Sequence, residues 1–219
     1  MAADAPRAVV FDWDNTLVDS WPTIHHALAI TFEAMGHSPW TLDETRARVR
    51  HSLRDSFPVL FGDRWGEARD IFYAAFERVH IENLAPIDGA EDLLATLSAS
   101  GLYLAVVSNK TGRYLRSEAD HLGWSRFFGK MIGAGDAARD KPAPEALLMA
   151  LDGGPAEIGP AVWFVGDSGI DMEIAHRTGC IPVLLHGLDA NAPEFVEWPP
   201  ARHFSSCRAL KGFLSNSEN

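Results

Sequence analysis

The chain has 219 residues, 47% of them hydrophobic and 22% charged, a globular composition that excludes disordered, collagen-like and disulfide-scaffold classes. Thirty Asp and Glu against 19 Lys and Arg give a formal net charge of −11, which argues against nucleic-acid and anionic-membrane partners, because phosphates need a basic footprint. Two cysteines make no disulfide framework, no apolar run has transmembrane length, and the N-terminus lacks a signal-peptide pattern, so the expectation is a soluble, cytoplasmic protein.

In chain order, the first element is the apolar run Ala8-Val9-Val10-Phe11, which reads as a buried parallel strand. From Trp21 to Ala85 the spacing is helical, with Pro22 at a first helical position, Gly36 at a helix end, and Pro58 and Gly62 interrupting the middle. Residues 21–85 therefore read as a small all-helical insertion, with 1–20 and 86–219 forming the core. Within the insertion, Arg46, Arg50 and Arg54 recur every fourth residue and are expected on one helical face, with Arg48 to the side. Beyond it, helical patterns over 89–100, 113–122, 144–151 and 170–178 alternate with apolar strands at 102–107, 161–165 and 181–185 and a weaker one at 130–133. Loops are expected at 152–155 and 191–200, and disorder at 215–219. Strands alternating with helices predict an α/β fold, a doubly wound parallel sheet.

The chemistry sits where strands end. In such a sheet the functional crevice lies beyond the carboxyl ends of the strands. The first strand runs into Asp12-Trp13-Asp14-Asn15-Thr16, whose two aspartates repel each other unless a cation or a shared proton relieves them. The strand at 102–107 ends in Ser108-Asn109-Lys110-Thr111-Gly112, polar donors at a helix entry that suit either a phosphate or ordinary capping. In Asp140-Lys141-Pro142, the proline keeps Lys141 out of the following helix. The chain has only four lysines, and Lys110 and Lys141 both fall in these loops, although a solvated surface lysine is a fair reading of Lys110. The strand at 161–165 ends in Gly166-Asp167-Ser168-Gly169-Ile170-Asp171, where Asp167 can share a metal with the first pair and Asp171 can accept from Lys141.

Together these four segments, in this order, resemble the four motifs of the haloacid-dehalogenase-like hydrolase superfamily, over essentially the whole chain from Val9 to about Leu214. The helical insertion, and Pro86-Ile87-Asp88-Gly89-Ala90 after it, resemble the phosphoglycolate-phosphatase-like branch with its helical cap on a Rossmann-like core. Asn15 stands where the family usually has glycine, and asparagine next most readily adopts a left-handed backbone. The resemblance implies Asp12 as nucleophile and Asp14 as general acid and base. It implies Mg2+ held by Asp12, the Asp14 carbonyl and Asp167, and phosphoryl oxygens held by Ser108, Asn109 and Lys141, with Asp171 supporting. The cap, implied to close over the site, is expected to carry specificity. Arg50 and Arg54 stand as candidates for a substrate carboxylate, against a solvated face paired with Asp43, Glu44 and Asp55.

The implied activity is Mg2+-dependent hydrolysis of a small anionic phosphomonoester, 2-phosphoglycolate first, with nucleotide or sugar-phosphate phosphatase and sugar phosphomutase as alternatives. A 2-haloacid dehalogenase needs neither Asp14 nor Asp167. A phosphonoacetaldehyde hydrolase needs a cap lysine, and 21–85 contains none. A silent binding protein fits least, since every motif position keeps a competent residue.

Overall fold

The computed structural model describes residues 5–49, 51–186 and 189–216. The chain divides into two compact units, Met1–Val18 with Pro86–Asn219, and Asp19–Ala85. It begins with β1 (Ala8–Phe11), buried at every position, and β2 (Val18–Asp19). Then follow α1 (Trp21–Ala34), α2 (Leu42–Arg48), α3 (Leu53–Phe61) and α4 (Trp65–Val79). The short β3 (Ala85–Pro86) pairs with β2 as a two-stranded sheet.

The rest alternates: α5 (Ala90–Ala99), β4 (Tyr103–Thr111), α6 (Gly112–His121), β5 (Lys130–Ala134), α7 (Glu145–Leu151), β6 (Val162–Gly166), α8 (Gly169–Thr178) and β7 (Ile181–Leu185). It ends with β8 (Arg202–Phe204) and α9 (Cys207–Asn216). The six core strands run parallel in the order β5-β4-β1-β6-β7-β8. Strand alternation sends Ala8, Val10, Ala105, Val107, Val162 and Phe164 to one face, where they pack with Leu147 and Ala150 of α7 and Ile174 and Ala175 of α8. Each fully buried large apolar side chain contributes about 1.5–3 kcal/mol. The functional ends of β1 and β6, the two central strands, are thereby held rigidly side by side.

Three sequence expectations change here. The strand expected at 102–107 continues to Thr111, because its ladder with β5 shifts register after Val107 and resumes at Thr111 opposite Ala134. That resumption needs glycine: a Cβ on Gly133 would lie 2.4 Å from Gly112 Cα. β8 and α9 lay outside the sequence reading, and α9 takes in Ser215 and Asn216 of the tail expected to be disordered. Its buried stripe of Cys207, Leu210 and Leu214 has helical spacing.

The third change lies in the helical unit, whose core joins Leu28 and Phe32 of α1, and Met35 just after it, to Phe57, Phe61 and Ala68. Arg46 and Arg54 do not share one helix. α2 stops at Arg48, Val49 is extended (ψ 103°), and a new helix starts after Ser52, with Arg54 in its first turn. Ser52 and Asp55, three residues apart, are a helix-start pair, and the Ser52 hydroxyl donates to the Asp55 carboxylate at 3.1 Å. Arg46 lies 3.8 Å from Asp43, Arg48 pairs with Glu44, and Arg50 is outside the described residues. Pro58 sits inside α3 and does not interrupt it; the break comes at Gly62, which has a positive φ of 53°. Among the described residues no helix is long and apolar enough to cross a membrane.

Candidate active site

Asp12 carries the β1 ladder one residue further, its amide donating to Val165 O at 2.8 Å. Its carboxylate is therefore buried beside the tip of β6. There the chain turns through Gly166, Asp167 and Ser168 into α8. Asp171, fully buried in the first turn of α8, is the hub. Its Oδ2 accepts from the Ser168 amide (3.1 Å) and hydroxyl (2.7 Å), and its Oδ1 accepts from Lys141 Nζ at 2.7 Å. Gly166 makes room for this carboxylate, since a Cβ there would lie 2.2 Å from Asp171 Cγ.

Lys141 enters from the loop before α7, through a cis peptide to Pro142, and is buried. Its ammonium also lies 2.8 Å from Asp12 Oδ1. Lys141 therefore bridges the Asp12 and Asp171 carboxylates. Burial works against the Lys141 charge, but Asp12 and Asp171 outweigh it and hold the ammonium well above the ordinary lysine range.

Asp167, half-buried, accepts from the Thr16 hydroxyl at 3.2 Å through Oδ1. Carboxylate oxygens of Asp12, Asp167 and Asp171 all lie within 4.8 Å of one another. Burial, opposed by Lys141 and reinforced by Asp171 and Asp14, pushes the Asp12 carboxyl up to about 6. Burial, with Asp171 and Asp12 adding to it, also raises Asp167 well above the usual carboxylate range. These oxygens are hard donors that fit a Mg2+-type cation. Because both oxygens of Asp171 are already engaged, Asp12 and Asp167 are the better ligands.

A second buried lysine stands on the other side of Asp14. Lys110 Nζ lies 2.6 Å from Asp14 Oδ1 and 2.6 Å from Glu118 Oε2. The same Glu118 oxygen accepts from Trp13 Nε1 at 2.8 Å. Burial opposes the charge on Lys110, but the two carboxylates prevail and raise it above an ordinary lysine. The surface reading of Lys110 is thus corrected. Trp13 packs edge-on against Trp124, and Asn15 takes the left-handed conformation (φ 61°) that reverses the loop. Ser108 Oγ accepts from the Lys110 amide at 3.2 Å, and Asn109 Nδ2 donates to Lys141 O at 3.3 Å, tying the ends of β4 and the Lys141 loop together.

The model of the haloacid dehalogenase-like hydrolase family matches residues 9–184, which span every one of these side chains. The chain belongs to this family. Among family relatives it is similar to a phosphoglycolate phosphatase of Pseudomonas fluorescens, 30% identical over 94% of this chain and 78% of that one. It is also similar to a phosphoglycolate phosphatase of Rhodobacter capsulatus, 27% identical over 94% of this chain and 96% of that one. A solved haloacid dehalogenase-superfamily hydrolase from Ehrlichia chaffeensis is 31% identical, covers 99% of each chain and superposes with a TM-score of 0.68.

Of the residues singled out by sequence, Asp12, Asp14, Ser108, Asn109, Lys141, Asp167 and Asp171 all lie in the α/β unit, most of them linked through the contacts above, whereas Arg54 belongs to the helical unit. Four further residues of the site escaped the sequence reading. Ser168 and Asp171 form a Ser-x-x-Asp capping box, a readable signal. Glu118 lies on the buried stripe of Leu115 and Ala119, where a carboxylate demands a partner. Thr16 had no signal beyond its place in the loop. His186, which meets Thr16 O through Nε2 at 2.9 Å and has φ 80°, had none.

Proposed function

We propose that the protein is a Mg2+-dependent phosphomonoester hydrolase that works through a phosphorylated Asp12, with 2-phosphoglycolate as its first candidate substrate. The observation that carries the reading is the buried Asp12 carboxylate, 2.8 Å from the Lys141 ammonium, just beyond the carboxyl end of central strand β1. The phosphoglycolate phosphatases it is similar to support the substrate class.

On this reading an Asp12 oxygen attacks phosphorus. The new O–P bond forms as the ester P–O bond breaks, and the departing oxygen takes a proton from Asp14. Water then attacks the same phosphorus and gives its proton to the Asp14 carboxylate, and the bond to Asp12 breaks to release phosphate. Lys141 and the β4-end residues Ser108 and Asn109 hold the phosphoryl oxygens, and Asp171 keeps Lys141 in place. Asp12, Asp167 and the Asp14 carbonyl would hold Mg2+, which when bound offsets the charge that phosphate adds to an already acidic site. Five carboxylates gather here (Asp12, Asp14, Glu118, Asp167 and Asp171), with Lys110 and Lys141 among them. Asp14 and Asp167 have no use in a dehalogenase, which favours the phosphatase.

A phosphate-release screen over several dozen metabolite phosphomonoesters, with Mg2+ and with EDTA, tests the proposal. Release that is fastest from 2-phosphoglycolate and stopped by EDTA supports it. Release indifferent to the chelator, or isomerisation of a hexose phosphate without free phosphate, contradicts it.

A further inference from the structure

We propose that Lys110, braced by Glu118 and Trp13, is the positioning residue that aims the Asp14 carboxyl group at the ester oxygen; this rests on the reading of Asp14 as the acid. Three polar side chains that never meet substrate in that reading are packed beside the site. Side-chain exposure falls from 17% at Asp14 to 5% at Lys110 and 1% at Glu118, so the chain of contacts has one accessible end, and that end is Asp14. The inner end is fixed twice, because Glu118 Oε2 takes both Lys110 (2.6 Å) and the Trp13 indole (2.8 Å).

Stability alone does not account for this. A buried ion pair is often no more stabilising than well-packed apolar side chains of similar volume. Geometry does account for it. Trp13 and Asp14 are consecutive residues directly after the proposed nucleophile, and both are anchored to the Lys110–Glu118 pair. Lys110 fixes Oδ1 of Asp14 and thereby the plane of its carboxyl group, while Glu118 fixes the backbone beside it through the indole. A proton donor held in one orientation needs no reorganisation when the ester bond breaks. Lys110 touches neither nucleophile nor leaving group in this scheme and acts through Asp14.

The test compares two esters by kcat/KM, which reports steps up to transfer onto Asp12. p-Nitrophenyl phosphate has a leaving group that departs as an anion, whereas glycerol 2-phosphate expels an alkoxide that needs a proton. Lys110→Met is expected to raise the aryl-to-alkyl ratio of kcat/KM about tenfold or more, as Asp14→Asn does, and Lys110→Arg to restore most of it. Adding Lys110→Met to Asp14→Asn should raise the ratio no further, the signature of one residue acting through the other. Equal losses on both esters, or a ratio that multiplies in the double variant, overturn the inference and leave Lys110 a structural support. Lys110→Gln carries the same comparison if Lys110→Met does not fold. A flat ratio in Asp14→Asn itself, or a wild type that turns over neither ester, overturns the phosphatase reading first and this inference with it.

Discussion

Gly166→Ala adds one methyl group to the end of β6, and the structure says where it must go. The new Cβ would lie 2.2 Å from Asp171 Cγ and 2.3 Å from Asp171 Cβ. Since the clash reaches Cβ, a rotation at the tip of the side chain does not relieve it. Either β6 or the first turn of α8 has to move. Overpacking of this kind costs about 1–3 kcal/mol. A displaced Asp171 also loses three donors, Lys141 Nζ at 2.7 Å and the Ser168 amide and hydroxyl at 3.1 and 2.7 Å. Charge-assisted bonds are worth about 1.5–3 kcal/mol each, part of which water regains. The expected total is about 3–5 kcal/mol, a large share of a typical domain's stability. Urea unfolding measures it, with Gly212→Ala as the control. Gly212 is interior to α9 with open space around its Cβ position, so there alanine should stabilise by about 0.5–1 kcal/mol. A loss below about 1 kcal/mol in Gly166→Ala would refute the claim that Asp171 fills a tight, fully used pocket.

The other expectations are these. Without a cation the Asp12 carboxyl titrates near about 6, above its ordinary 3.8, so the folded protein keeps a proton that the unfolded chain has released. The stability that this proton contributes is present at low pH and lost as pH rises through about 6; added Mg2+ should therefore raise the urea midpoint more at pH 7 than at pH 5, and an equal gain at both counts against Asp12 as a ligand. Asn15 sits at φ 61°, so Asn15→Ala should cost about 1 kcal/mol in urea unfolding while Asn15→Gly costs less; equal costs would remove the backbone explanation. Arg54→Ala should lower kcat/KM for 2-phosphoglycolate about tenfold while leaving p-nitrophenyl phosphate nearly untouched, and equal losses on both would refute carboxylate recognition.

Most of the sheet was legible because buried parallel strands are continuous apolar runs, as at Ala8–Phe11 and Ile181–Leu185. The site was legible because its acidic and polar residues cluster at strand ends. Illegible features depend on partners distant in sequence. Lys110 looks like a surface lysine until Glu118 and Asp14 are placed around its ammonium. β8 has only three residues and no apolar run, so nothing local marks it as the sheet edge. The arginine stripe misled because a period of four was counted across Val49 and Ser52, where the backbone is extended.

The central claim is that Asp12 is the nucleophile of a phosphomonoesterase, and turnover of p-nitrophenyl phosphate by Asp12→Asn in saturating Mg2+ tests it most directly. An amide at that position keeps the shape and removes the attacking charge, so the rate is expected to fall at least about a thousandfold while the urea midpoint shows the protein still folded. Turnover within about tenfold of the wild type, in the folded variant, would contradict the account.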